Sequence, residues 1–276
     1  MEAILILIVA SKEDVAAVNI ASHLLVDHGF EESPELFQGS PIYAKTLRNG
    51  EEVKLVFIKE PAIEAQFITD FFKPRLLIFI SRHKSESGIP TLSVHVPGNI
   101  GPAKMGGIPR KVSIAPASAM KEALKELALD KERMNLDYDV SYECTHHGPS
   151  LDVPTVFVEL GSSEVQWRDL KAAKAVAEAA MAAATSKESY PTALGIGGLH
   201  YNRKFTKLAL TSDIAFGHII PKYAVQLVDL EVLKHCVERT VEKVEKIVLD
   251  WKGIRGSDKA KLMDILDEVG LPIEKV

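Results

Sequence analysis

Two uninterrupted apolar runs limit what this chain can fold into. Residues 3–10 read Ala3-Ile4-Leu5-Ile6-Leu7-Ile8-Val9-Ala10, and residues 76–80 read Leu76-Leu77-Ile78-Phe79-Ile80. Neither approaches the roughly 20 residues needed to cross a bilayer. Neither alternates with polar residues, as a strand with one wet face would. Each reads as a strand covered on both sides, the pattern of a parallel sheet between helices. No basic residue precedes the first run and a helix start follows it, so it is a first strand and not a signal peptide.

The rest of the chain repeats this strand-then-helix alternation. Ser11 and Asp14 mark a helix start, with Val15, Val18, Leu24 and Leu25 as its apolar stripe and Gly29 as its end. Residues 31–50 are irregular, with a short strand at 42–47. Strands follow at 53–59, 91–96, 138–145, 155–160, 192–196 and 207–211. Helices follow Pro61, around Met120 and Leu124, and after Gly161-Ser162-Ser163, where Ser163 and Gln166 have capping-box spacing. Residues 217–224 read as a loop. A long helix then carries Leu230, Leu233, Val237, Val241, Val244 and Val248, and a last one runs from Ser257 or Asp258 to Gly270. The sum is an α/β chain, a three-layer α/β/α sandwich with a mostly parallel, mixed sheet. We expect a single compact unit over residues 1–276, with room for a smaller subdomain built around 81–135.

Composition narrows the function. The chain has 276 residues, 46% of them hydrophobic, which is ample for a packed core. Its two cysteines, Cys144 and Cys236, lie far apart in unlike contexts, which favours a reducing, cytoplasmic setting over a disulfide scaffold. A net charge of −5 argues against coating nucleic acid non-specifically but leaves room for a local basic groove.

The chemistry concentrates in Tyr142-Glu143-Cys144-Thr145-His146-His147-Gly148-Pro149-Ser150, where two imidazoles follow a strand and meet a Gly-Pro turn. Neutral imidazole is the commonest metal ligand and a base near neutral pH. His83, His95, His200 and His218 also fall at or near strand ends, the usual ligand edge of an open α/β sheet. Neighbouring histidines in an extended segment point to opposite sides unless a turn intervenes. Glu143 and Glu159 can complete a His/carboxylate zinc site or serve as base toward water. Cys144, two residues from His146, is either a nucleophile or a buried small hydrophobe; strand alternation favours the latter. The stretch 97–109, rich in Gly and Pro, has the length of a binding loop or lid. The strand-Gly-helix junction at 161–163 is a candidate anion site. Three glycines at 195–198 let the backbone approach a ligand closely.

Six segments in order resemble the archaeal and plant-type D-aminoacyl-tRNA deacylase family. They are Ser81-Arg82-His83, Ser93-Val94-His95-Val96-Pro97-Gly98-Asn99, Thr145-His146-His147-Gly148-Pro149, Glu159-Leu160-Gly161-Ser162-Ser163, Gly195-Ile196-Gly197-Gly198-Leu199-His200-Tyr201 and Gly217-His218-Ile219-Ile220-Pro221-Lys222-Tyr223. Cys144 departs from the small non-thiol residue expected there. The resemblance implies a zinc-dependent esterase that frees a D-amino acid from the terminal ribose of tRNA. It also implies a core related to peptidyl-tRNA hydrolase and nucleoside phosphorylases. On that footing His83, His95, His146, His147 and His200 supply metal ligands or their immediate surroundings, and Glu143 or Glu159 orients the water. Amides of Gly197 and Gly198 steady the oxyanion, with no dedicated acid. Arg82, Lys104, Ser162, Ser163, Arg203 and Lys222 hold phosphates, and Tyr201 stacks on the last base. The expected partner is the aminoacylated 3′ end of tRNA, with no DNA and no membrane, for a monomer or weak homo-oligomer. The rival classes are a nucleoside phosphorylase-like or metallopeptidase-like enzyme and a non-catalytic tRNA-binding protein.

Overall fold

The structure is a computed structural model that describes residues 5–276; Ala3 and Ile4 of the opening run lie outside the described residues. The elements run β1 (Leu5–Ser11), α1 (Val15–Asp27), β2 (Glu31–Phe37), β3 (Ser40–Thr46), β4 (Glu52–Ile58), α2 (Ile68–Phe71), β5 (Leu76–Lys84) and β6 (Thr91–His95). Then come α3 (Ala117–Arg133), β7 (Asp139–Tyr142), β8 (Thr155–Ser162), α4 (Glu164–Trp167), α5 (Leu170–Thr185) and β9 (Thr192–Ile196). The chain finishes with α6 (Arg203–Thr211), β10 (Ala215–Ile220), α7 (Leu230–Glu238), β11 (Val244–Leu249), α8 (Gly256–Val269) and β12 (Ile273–Lys275).

The strands form two sheets, ordered β2-β3-β4-β1-β5-β8-β6-β7 and β10-β9-β11-β12. The second is parallel throughout. The first is parallel from β4 through β1 and β5 to β8, and antiparallel at the β2–β3–β4 edge and between β8 and β6. The two apolar runs lie where their composition places them, at the centre: β1 pairs with β4 and β5 on its two sides. Ile6, Ile8 and Ile78 pack with α1, α3 and α5, while Leu7, Val9, Leu77 and Phe79 pack with α2 and Phe157 on the other face. Each such fully buried side chain is worth about 1.5–3 kcal/mol. Helices likewise cover the second sheet on both faces: Phe205 of α6 lies on one side, Leu233 of α7 and Leu262 of α8 on the other. No helix among the described residues is long and apolar enough to cross a membrane.

Several local readings change. Residues 207–211 are helical, because Asn202 caps α6 by accepting the Phe205 amide. The expected long helix through Val248 stops at Glu238, and Val244 and Val248 belong to β11. Residues 217–220 are strand β10, and residues 31–37 are strand β2, a polar edge with no apolar period. The junction at 161–163 opens only the four-residue α4. The long helix α5 starts after Asp169, whose carboxylate accepts the Lys171 and Ala172 amides and leaves an acidic group where an anion would bind.

Between the sheets runs the segment that follows β7. Its amides are shared between the two sides: Glu143 donates to the Val94 carbonyl of β6, Cys144 to that of His200 in the loop after β9, and Thr145 to that of Ile219 in β10. The histidine doublet is therefore held where the two sheets meet.

Candidate active site

The site grows out of one face of the first sheet. In register, Ser81 and Ser93 flank Glu159, His83 lies beside Gly161, and His95 beside Phe157. Side chains alternate across a strand, so Phe79, Ser81 and His83 share a face, as do Phe157, Glu159 and Gly161. On that face the apolar packing of Phe79 against Phe157, 4.6 Å between ring centroids, gives way to two histidines, two serines and a carboxylate. His83 and His95 thus lie near the ends of β5 and β6, as expected, with their rings on the sheet's face. Gly161 makes room for one of them: a Cβ there would stand 2.9 Å from the His83 Cβ and 3.1 Å from its carbonyl oxygen.

The segment between the sheets closes over this face. At His147 the backbone turns to φ 45°, which brings both rings of the doublet inward instead of splaying them. The ring centroids of His146 and His147 are 4.3 Å apart, and they lie 4.3 and 4.8 Å from that of His95. Loop 97–109 braces this turn from behind. Gly148 donates to the Met105 carbonyl at 2.8 Å, and a Cβ on Gly148 would fall 2.2 Å from the Gly107 nitrogen, so only glycine fits. From the second sheet, His200 arrives in the loop after β9 with its Nε2 2.8 Å from Glu143 Oε2.

The hydrogen bonds fix which atoms face the middle. His146 Nδ1 donates to the Cys144 carbonyl at 2.8 Å and His147 Nδ1 to the Gly148 carbonyl at 2.6 Å. A carbonyl only accepts, so the proton is on Nδ1 and the Nε2 lone pair of each ring is left for the interior, the usual arrangement of metal-ligating histidine. Glu159 is fully engaged: Ser81 Oγ donates to Oε1 at 2.7 Å and His83 Nδ1 to Oε2 at 3.1 Å. Glu143 Oε1 is also 3.1 Å from His83 Nδ1, but that nitrogen's one hydrogen is aimed at Glu159, and Oε1 makes no hydrogen bond. His95 Nδ1 and Nε2, Ser93 Oγ and Tyr201 Oη are likewise buried without a partner. Buried polar groups rarely go unpaired, and five such atoms in one place point to a bound group. Donor atoms lie within 4.8 Å of one another in the sets His95-His146-His147, Cys144-His146-His200, His83-Glu143-His200 and His95-Glu143-Glu159.

Charge is divided accordingly. Burial alone would pull His83 down, but Glu143 and Glu159 outweigh it and raise it to about 11. Burial would also lower His200, yet the Cys144 sulfur and Glu143 bring it to about 10. Burial would raise Glu143, but His83 and His200 hold it well below the carboxylate range; His83 and His95 do the same for Glu159. Burial, then the neighbouring imidazoles, push His146 well below its ordinary value and His147 to about 4. The shifts favour charge on the two carboxylates, His83 and His200 and a neutral histidine doublet beside them.

The other candidates are placed less centrally. Tyr201 reaches the site, its ring 5.3 Å from that of His83. Arg82 lies on the opposite face of β5, its guanidinium 5.2 Å from the centre of the Trp167 ring. Lys104 is exposed in loop 97–109, and Arg203 is exposed and paired with Asp139 at 3.0 Å. Ser162 donates to the Ile89 carbonyl and Ser163 to the Gln166 side chain. The Gly197 and Gly198 amides donate to the carbonyls of Ile220 and Gly253, so neither is free for an oxyanion. Lys222 is half-buried and its amide meets the Gly198 carbonyl. His218 stays out of the site, hydrogen-bonded to Thr145 and to the Arg239 carbonyl. Sequence reasoning did not single out Ser81, Ser93 or Tyr223, whose hydroxyl lies 3.3 Å from both the Cys144 sulfur and His200 Nδ1. The repeated Ser-x-His on two strands was a usable signal for the serines.

Comparison with known proteins agrees over nearly the whole chain. A D-aminoacyl-tRNA deacylase of Pyrococcus furiosus is 42% identical over 273 residues, covering 97% of this chain and 98% of its own length. That of Thermococcus kodakarensis is 41% identical over 271 residues, covering 96% and 97%. A crystal structure described as that of a conserved protein of unknown function superposes with a TM-score of 0.87 at 30% identity, over 100% of this chain and 96% of its own. A family model described as D-aminoacyl-tRNA deacylase matches residues 70–274. The chain belongs to the D-aminoacyl-tRNA deacylase family.

Proposed function

We propose that this protein hydrolyses the ester between a D-amino acid and the terminal ribose of tRNA, releasing both, at the pocket shared by His83, His95, His146, His147, His200, Glu143 and Glu159. Membership of the family supports the reaction. The observation that carries the site is the set of unpaired buried atoms beside two imidazoles whose Nε2 lone pairs are left for the interior. Those features fit a zinc ion held by His95, His146 and His147, with Glu159 3.6 Å from His95 Nε2. Bound there, zinc would supply a Lewis acid for the ester carbonyl and for water.

The chain's own groups do the rest. Glu143 stays ionised beside His83 and His200, so its free Oε1 accepts a hydrogen bond from the attacking water. It takes the water's proton as the oxygen adds to the carbonyl carbon. When the C–O bond to the ribose breaks, the same proton passes to the departing oxygen, and no separate acid is required. Ser81 and His83 fix Glu159 so that its charge stays beside His95. His200, about a third exposed, stands at the open side where the ester enters.

The test is deacylation of matched D- and L-tyrosyl-tRNA by the intact protein, with metal content read on the same sample. Release from the D-ester that falls with chelator, and with His146→Ala or His147→Ala, is the expected result. Full activity in metal-free protein would remove zinc from the mechanism, and an inert D-ester would reject the reaction itself.

A further inference from the structure

Three loops at the C-terminal ends of the second sheet's strands interlock beside the pocket. Tyr223 touches His200, the Lys222 amide donates to the Gly198 carbonyl at 3.0 Å, and the Gly198 amide donates to the Gly253 carbonyl at 3.2 Å. The last of these loops, after β11, carries Trp251, Lys252 and Arg255. The ammonium groups of Lys259 and Lys275 stand 4.4 and 4.1 Å from the centre of the Trp251 ring. Asp250, the nearest acid in the loop, is already paired with Lys204 at 2.6 Å. Among the described residues Lys222, Lys252, Arg255, Lys259 and Lys275 form no ion pair, and Lys252 and Arg255 are exposed. Other cations near acidic groups are neutralised: Arg110 by Asp229 and Glu231, Lys111 by Asp152, Arg203 by Asp139.

We infer that this edge, with Lys252 and Arg255 at its exposed rim, receives the phosphate backbone of the substrate's RNA stem while its 3′ end occupies the histidine pocket. An acidic protein can bind a polyanion only where its cations are free, and here free cations adjoin the site's open side. Ammonium groups over an indole are held in place yet keep their outer hydrogens for phosphate oxygens. The surface deepens the deacylase reading and rests on it for the identity of the RNA.

The double variant Lys252→Ala/Arg255→Ala tests it, beside Lys234→Ala/Lys243→Ala, which removes equal charge from exposed positions elsewhere. Each is measured on full-length D-aminoacyl-tRNA and on a D-aminoacyl ester of the CCA trinucleotide, which has no stem. The expected result for the first variant is a severalfold higher KM on tRNA and a log KM against log salt slope shallower by about one per lost phosphate contact, with the trinucleotide ester cleaved normally. Equal effects on both substrates, no change on tRNA, or the same loss in the control pair would overturn the inference. If the native protein cleaves neither ester, the deacylase reading fails. Binding of uncharged tRNA by the same variants then decides the surface by itself: weaker, less salt-dependent binding in the first pair alone supports it, and unchanged binding refutes it.

Discussion

His218 predicts a pH dependence of stability that follows from where the fold places it. The ring is fully buried in β10. Its Nε2 donates to the Arg239 carbonyl at 3.0 Å, and its Nδ1 lies 3.2 Å from the Thr145 hydroxyl, which already accepts the Ile219 amide. With the ring proton on Nε2, Nδ1 accepts the hydroxyl's one hydrogen, and protonating Nδ1 would force that hydroxyl to turn away and give up the bond. Burial, joined by repulsion from His235 and Arg239, outweighs the bond to the Arg239 carbonyl and pushes the ring down to about 4 from its ordinary 6.5. Above 6.5 the folded and unfolded chains are both neutral at this residue and nothing is lost. As pH falls through 6.5 the unfolded chain takes up a proton that the folded chain refuses, so stability declines until about pH 4. At about 1.4 kcal/mol per pH unit the full loss is about 3 kcal/mol, and about 2.5 kcal/mol of it has gone by pH 4.5. Urea unfolding of the native protein and of His218→Asn, compared at pH 7.5 and 4.5, isolates the effect because other groups titrate equally in both. Whatever fixed offset the variant carries, the native protein should lose about 2.5 kcal/mol more over that interval. Parallel losses would mean that the imidazole titrates normally in the fold, and the argument from its closed hydrogen bonds would fall.

Three further changes have expected outcomes. Gly161→Ala places a Cβ against His83 within a paired β5–β8 ladder that cannot yield; it should cost about 1–3 kcal/mol and lower kcat at least tenfold, and unaltered turnover would show that His83 need not hold its position. Ser81→Ala removes the hydroxyl donated to Glu159 Oε1 at 2.7 Å and should lower unfolding free energy by about 1–3 kcal/mol; a gain in stability would contradict an ionised Glu159. The Glu242 carboxylate accepts the Ala117 and Ser118 amides at 3.0 and 2.9 Å, so Glu242→Ala should cost about 1–2 kcal/mol as a lost helix cap with kcat intact, and a proportional fall in kcat would implicate α3 in the site.

The parts of this fold legible in the sequence are those where one strand carries its own signal. β1 and β5 are apolar on both faces, so their central place in a parallel sheet needed no partner to be inferred. β2 gave no such signal, because an edge strand with most of its side chains in water has no apolar period to read. The failure at Val237, Val241, Val244 and Val248 has another cause. Their spacing of three and four suits a helix, and no Gly or Pro interrupts it. The break comes from tertiary contacts: Glu242 turns to cap α3, and the Val241 amide donates to the Ala115 carbonyl. A local period cannot compete with bonds formed across more than a hundred residues of chain.

The site divides in the same way. The doublet, the two glutamates and the imidazoles of His83, His95 and His200 were legible as residue types suited to one chemistry. Their meeting on a sheet face depends on strand order, since β6 lies antiparallel beside β8 and only that pairing sets Ser93 opposite Glu159 and His95 opposite Phe157. The doublet depends on a single backbone angle: in an extended chain one ring would turn away, and the left-handed turn at His147 brings both to His95. Such a conformation costs a non-glycine residue about 1–3 kcal/mol, and here it is sustained by the Gly148 amide on Met105 and the glycine-to-glycine contact with loop 97–109. The loop read as a binding loop or lid thus braces the turn that holds the doublet's lone pairs toward the pocket, and that close approach requires its glycines.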